Sequence, residues 1–145
     1  MNKKRIFSLV AATMLSVSVL AGCGSDSKLK DGTYAVETGY DKHGYKSSFS
    51  MEVKDGKIAT VNYDEIMEDG TSKKADDAYN EKMMSIMNTN AQTAYPALEK
   101  SLLDKQSADV DAVAGASQTT EAFKKVAAKA IENAQAGNTE KAIVE

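Results

Sequence analysis

The sequence predicts an α+β domain, an antiparallel sheet with a hairpin packed against helices, and three observations support this. Strand-like alternation runs from Tyr34 to Tyr63, and the hydrophobic period changes from two to nearly four after Gly70. A charge-free run of small residues, Ala112 to Thr120, then leads into a long periodic helix. The expected organisation is a leader at 1–22, a polar tether at 23–30, one domain at 31–137 and a frayed tail at 138–145.

The leader "MNKKRIFSLVAATMLSVSVLAGC" has a basic start, an apolar run from Ile6 to Leu20, then small residues. That run is too short and wrongly flanked for a transmembrane span and has the layout of a secretory signal. Its end, Leu20-Ala21-Gly22-Cys23, resembles the lipobox of bacterial lipoproteins. The resemblance implies cleavage before Cys23 and lipid attachment to its thiol, which places the chain on the extracytoplasmic face of the cell membrane. An ordinary signal peptide with a stray cysteine is the alternative. Cys23 is the only cysteine, so the chain offers it no disulfide partner. Without Lys3, Lys4 and Arg5, the 18 basic residues fall to 15 against 21 acidic ones, a net of −6. Such acidity argues against nucleic acid as a partner.

"DGTYAV" supplies a first strand, with Tyr34 and Val36 alternating, and "HGYK" reads as a turn. Phe49, Met51 and Val53, then Ala59, Val61 and Tyr63, alternate with polar residues on either side of Asp55-Gly56. A three-residue loop, Lys54 to Gly56, would keep both faces in phase and pair Met51 with Ala59. Tyr79, Met83, Ile86 and Met87 share a helical face expected to pack in the core, in preference to a soft metal site. Tyr95, Leu98 and Leu102 mark a second helix, with Pro96 in its first turn. Phe123, Val126, Ala127, Ala130, Ile131 and Ala134 form the apolar stripe of the last helix, which should stop near Gly137. His43 reads as an exposed turn residue, and "GTSKKADD" as a solvated charged loop, with Lys73 or Lys74 beside a phosphate as the other option.

The run "DAVAGASQTT" carries the chemistry. Gly115 and Ala116 allow close backbone approach, and the free N–H groups of the following helical turn suit a phosphate. Ser117, Thr119 and Thr120 add hydroxyls that can cap, donate or be esterified. The same run also fits a simple turn and a threonine N-cap before an ordinary helix.

"VDAVAGASQTT" further resembles the flavinylation motif of FMN-binding domain proteins, through Asp111, Gly115, Ala116, Ser117 and Thr119. "DGTY" and "VKDGKIATV" resemble the same family, so the likeness covers roughly residues 31–134. It extends to single-domain bacterial lipoproteins and, in motif, to FMN-carrying subunits of membrane NADH:quinone and ferredoxin oxidoreductases. The resemblance implies FMN joined by a phosphoester to Ser117, attached by a separate Mg²⁺-dependent transferase that uses FAD. It implies that Asp111 positions the loop or the transferase's metal, that Gly115 and Ala116 clear space for the phosphate, and that Thr119 steadies the loop or the phosphate. Ala114 departs from the family's Ser or Thr. One or two of the six tyrosines would stack on the flavin ring. The implied function is electron carriage from a membrane quinol or flavoprotein, with no catalytic acid or nucleophile of its own. A flavin-free binding lipoprotein and a flavin reductase are the alternatives.

Overall fold

A computed structural model describes residues 28–145; the leader, Cys23 and the start of the tether lie outside the described residues. The elements are β1 (Gly32–Thr38), β2 (Tyr45–Lys54), β3 (Lys57–Met67), α1 (Asp77–Met87), α2 (Ala91–Lys105), α3 (Ser117–Ala136) and β4 (Ala142–Val144). The α+β class is as expected. The sheet order is β3-β2-β1-β4, with β1 to β3 antiparallel and β4 parallel to β1. Helix α2 covers β3, and α3 lies across β1 and β2.

One face of the sheet points at the helices, and its residues follow from strand alternation. Tyr34 and Val36 of β1, Phe49, Met51 and Val53 of β2, and Ile58 and Tyr63 of β3 are buried on it. Phe123, Val126, Ala127, Ala130 and Ala134 of α3 close the core from above, with Tyr95, Leu98 and Leu102 of α2 beside them. Phe123 meets Phe49 edge-on at 5.6 Å and Tyr63 at 5.1 Å between ring centroids. Edge-to-face pairs of this kind add about 0.5–1.5 kcal/mol beyond their buried area.

The hairpin differs from expectation. Its loop is two residues, Asp55 (φ 53°) and Gly56 (φ 75°), both left-handed, between paired Lys54 and Lys57. This turn matches the twist of the strands, which a three-residue loop would not need to do. Phase is restored inside the strand: a bulge between Glu52 and Val53 pairs Val53 with Ile58 and Met51 with Val61, leaving Ala59 exposed. Asp31 fixes the turn by accepting from the backbone N–H of Asp55 (3.0 Å) and Gly56 (2.9 Å).

Two helix readings also change. Pro96 sits inside α2, because that helix begins earlier, at a capping box made by Asn90 and Thr93. Pro96 and Gln92 are both exposed, so the carbonyl that proline leaves without a donor lies on the solvent side of the helix. In α1 the apolar stripe is not core: Ile86 is 64% exposed and Met87 44%. The buried residue is Asn80, whose amide donates to the carbonyls of Lys73 (2.9 Å) and Asp76 (2.8 Å). Helix α3 ends as expected, with Gly137 at φ 75°.

Both ends of the domain are more ordered than the sequence suggests. Leu29 packs against the core, and the Lys30 N–H donates to Ala134 O at 2.9 Å. The tail expected to fray forms β4 instead, since three residues suffice to pair with the free edge of β1. Glu37 of β1 ties this edge together, accepting from Lys46 (2.8 Å) and Lys141 (2.9 Å).

Those lysines, Lys46 first, hold the Glu37 carboxyl below its ordinary value of 4.5. A depressed carboxylate stabilises the fold above its unfolded pKa and loses that contribution as pH falls through the folded value. The amide signals of Ile143 and Val144 should therefore leave their native NMR positions as pH drops below 4.5, ahead of global unfolding. In Glu37→Gln they should be displaced already at neutral pH. Native β4 signals throughout, in both proteins, would show that the lysine ties do not hold the strand.

Candidate functional site

Along its inward face the sheet changes character. On β2 the inward positions run Val53, Met51, Phe49, Ser47 and Tyr45; on β3 Tyr63 is followed in phase by Glu65, and on β1 Val36 by Thr38. Apolar side chains fill the first part, and polar ones floor an open cleft of about 1250 Å³. The register places Ser47 directly opposite Glu65. The Ser47 and Tyr63 hydroxyls lie 3.0 Å apart, and Tyr63 donates to Glu65 Oε1 at 3.2 Å. Desolvation pushes the Tyr63 and Tyr95 phenols well above their ordinary range, so both stay neutral.

The roof of the cleft is the start of α3. Gly115, Ala116, Ser117 and Thr119 all line it. Gly115 has φ 79°, and a Cβ there would lie 2.8 Å from Met87 O and 2.9 Å from Thr89 Cγ2. The glycine is thus required by contact with the end of α1. That packing places Ser117 as the first residue of α3, exposed at the cleft. Thr119 reaches the floor, donating to Glu65 Oε1 at 3.4 Å.

Two expected site residues stand apart. Thr120 is fully buried: its hydroxyl donates to Ala116 O (2.9 Å) and accepts from Val113 N–H (3.2 Å), which closes the loop from within. Asp111 is exposed and paired with Lys105 at 2.8 Å, outside the cleft lining. It braces the base of the loop against α2.

The end of α3 is electrostatically unfinished. Helix α1 is capped by Asp76 with Asp77 in its first turn, and α2 by the Asn90–Thr93 box. The N-cap of α3 is Ala116, which makes no side-chain capping bond, and the first turn holds no acidic residue. Its first N–H groups and the positive end of its dipole are therefore left at the cleft without a capping side chain, and Glu65 reaches this turn only through the Thr119 hydroxyl.

The side walls hold what sequence reasoning missed. After β3 the chain doubles back, with Ile66 bridged to Ser72 and the Lys73 N–H donating to Glu65 O at 2.9 Å. Lys73 is thereby no part of a solvated loop. Its ammonium pairs with the Glu65 carboxylate and lies 4.2 Å from the Tyr45 ring centroid and 5.5 Å from that of Tyr79. Lys74 instead turns to Glu99, at 3.8 Å. Tyr40, Met83 and Met87 complete the walls, so the methionines read as core border the cleft. His43 is exposed in its turn, as expected, and lines the rim. Among the described residues no cluster of His, Cys, Asp or Glu could hold a metal ion. The available signal was a set of polar residues, Thr38, Ser47 and Glu65, in the inward phase of apolar strands.

The model of the FMN-binding domain matches residues 43–132, which span the cleft floor, its walls and the α3 loop. The chain belongs to the FMN-binding domain family. This FMN-binding domain is similar to the 15 kDa lipoprotein of Treponema pallidum, 29% identical over 87% of this chain and 91% of that one. It is also similar to the crystal structure of the CPE2226 protein from Clostridium perfringens, at 44% identity with a TM-score of 0.78, covering 80% of this chain and 97% of that one. An uncapped helix start for a phosphate, with aromatic and thioether side chains around an open cleft, fits the family's cofactor.

Gly115→Ala should cost about 1–3 kcal/mol in urea denaturation, from strain at positive φ and collision with Met87 O. It should also displace the Ser117 amide signal. Unchanged stability and an unmoved Ser117 would refute the close seating of this loop on α1.

Proposed function

We propose that the chain is a lipid-anchored, extracytoplasmic electron-transfer flavoprotein that carries FMN through a phosphoester to Ser117. The observation that carries this reading is the uncapped start of α3, which holds the Ser117 hydroxyl at the cleft in a member of an FMN-binding family. The backbone N–H groups of Ser117, Gln118 and Thr119 would hold the phosphate, with the helix dipole behind them. Tyr40, Tyr45, Tyr79, Met83 and Met87 supply apolar surface for the ring. FMN supplies one- and two-electron transfer, and the chain orients it and excludes water from one side. A separate FAD- and Mg²⁺-dependent transferase would make the bond.

Geometry supports carriage above the membrane. Lys30, at the end of the tether, donates from its backbone to Ala134 O and from its ammonium to Ala136 O (3.1 Å), at the C-terminal end of α3. Ser117 opens the other end of this 20-residue helix, about 30 Å away. A lipid on Cys23 would thus hold the domain by one end and present the cleft at the other. The lipoprotein relative is consistent with such an anchor. Among the described residues no helix is long and apolar enough to cross a membrane. A quinol or reduced flavoprotein would be the electron donor.

Co-expression of the full chain with an FMN transferase should give flavin fluorescence that survives a denaturing gel, and a mass increase of FMN less water. Ser117→Ala should abolish both. Label retained in that variant, or no label where a known substrate of the same transferase is labelled, would sink the attachment reading.

A further inference from the structure

The charge around the cleft is unbalanced. The carboxylates of Asp41, Glu65, Glu121 and Glu145 line it against the ammonium groups of Lys73 and Lys125. Lys125 is exposed, whereas the Lys73 side chain retains 14% of its accessible surface and its partner Glu65 10%. Water screens the first and hardly reaches the second. Lys73 is also immobilised, by the ion pair, by the two tyrosine rings and by its own backbone bond to Glu65 O. Burying such a pair carries a desolvation cost that an apolar pair of similar volume would avoid, so its presence beside the cleft calls for a role.

We propose that Lys73, clamped between Tyr45 and Tyr79, is the positioning charge that sets the reduction potential of the flavin, with Glu65 as its counterweight. This rests on the reading that FMN is carried at Ser117. Reduction of the oxidised ring takes two electrons from a quinol or reduced flavoprotein and one proton from water, and leaves one added negative charge on the ring. The carboxylates and the phosphodiester disfavour that charge. Lys73 favours it from a fixed place in poorly screened surroundings, and Glu65 tempers Lys73. The fold supplies this device by the turn that brings residue 73 back beside residue 65, and Thr119 links the pair to the helix that bears Ser117.

The signs separate this role from a structural one. In the flavinylated full chain, spectroelectrochemical titration of Lys73→Gln at the parent's midpoint should show the ratio of oxidised to reduced flavin raised about tenfold. That is about 30 mV more negative for a two-electron couple. Glu65→Gln should move the potential the opposite way, and Lys73→Arg should restore the parent's value. Loss of packing alone would move the two glutamine variants in the same direction. If they do so, or if Lys73→Gln leaves the potential unmoved in a chain whose label survives denaturation, the proposal is overturned while attachment at Ser117 stands. A parent chain without covalent flavin overturns both. Should Glu65→Gln fail to fold, the contrast between Lys73→Gln and Lys73→Arg decides alone.

Discussion

The edge-on seating of Phe123 against Phe49 and Tyr63 fixes the position of α3, and the candidate site depends on where α3 begins. Phe123 lies six residues beyond Ser117, about 9 Å along the axis. It is the first large apolar side chain of the helix, and Ser117 and Gln118 before it stand exposed beyond the core. Thr120, one turn earlier, is buried and spends its hydroxyl on the loop at residues 113–116. Gly115 rests against the carbonyl end of α1. Aromatic packing behind and close backbone contact beside thus hold a helix start open without any capping side chain. The same aromatic cluster keeps the Tyr63 hydroxyl beside Glu65, which joins core and cleft through one residue.

This arrangement divides one sheet face between two physical tasks. Where side chains are apolar, α2 and α3 cover the sheet and burial of each large residue contributes about 1.5–3 kcal/mol. Beyond Phe49 and Tyr63, the polar pair Ser47 and Glu65 ends the core, and the helices part to leave a cleft. Helix α1 forms a wall there without contributing an apolar side chain to the core. Hydrogen bonds from Asn80 hold it, so it can offer the half-buried Met83 and the exposed Met87 to the cleft side. A wall of this kind sacrifices burial energy in exchange for accessible apolar surface.

Much of the framework is legible in the sequence, because it is local. Alternation marked β1 to β3, Asp55-Gly56 marked the turn, and the stripe from Phe123 to Ala134 with Gly137 marked α3. The loop at Gly115 to Ser117 was legible through its small residues. Local rules failed where a choice is settled elsewhere in the chain. A bulge at Ala59 mimics a change of loop length, since both restore phase. The stripe of α1 has the spacing of a core face, and spacing says nothing of whether the surface opposite is core or cleft. Leu29 and the strand at Ala142–Val144 depend on the edge of β1 and the end of α3, which no short window contains. Lys73 and Glu65 meet because β3 turns back, and a lysine in a charged loop carries no mark of that.

The two ends of α3 differ in how the charge of the helix dipole is met. At its C-terminus Gly137 turns the chain, and Lys30 places an ammonium on the Ala136 carbonyl, so the negative end of the dipole is met by a residue that lies just before β1. At its N-terminus no side chain caps the helix and the first turn holds no acidic residue, while Glu65 touches only the Thr119 hydroxyl. Stability alone would favour a serine, threonine or aspartate where Ala116 stands, a change worth about 0.5–2 kcal/mol. Such a side chain would occupy the N–H groups that a phosphate needs. Leaving them free forgoes that stability at the end of the helix farthest from Lys30. The same 20 residues thus separate the Lys30 contact from the uncapped helix start.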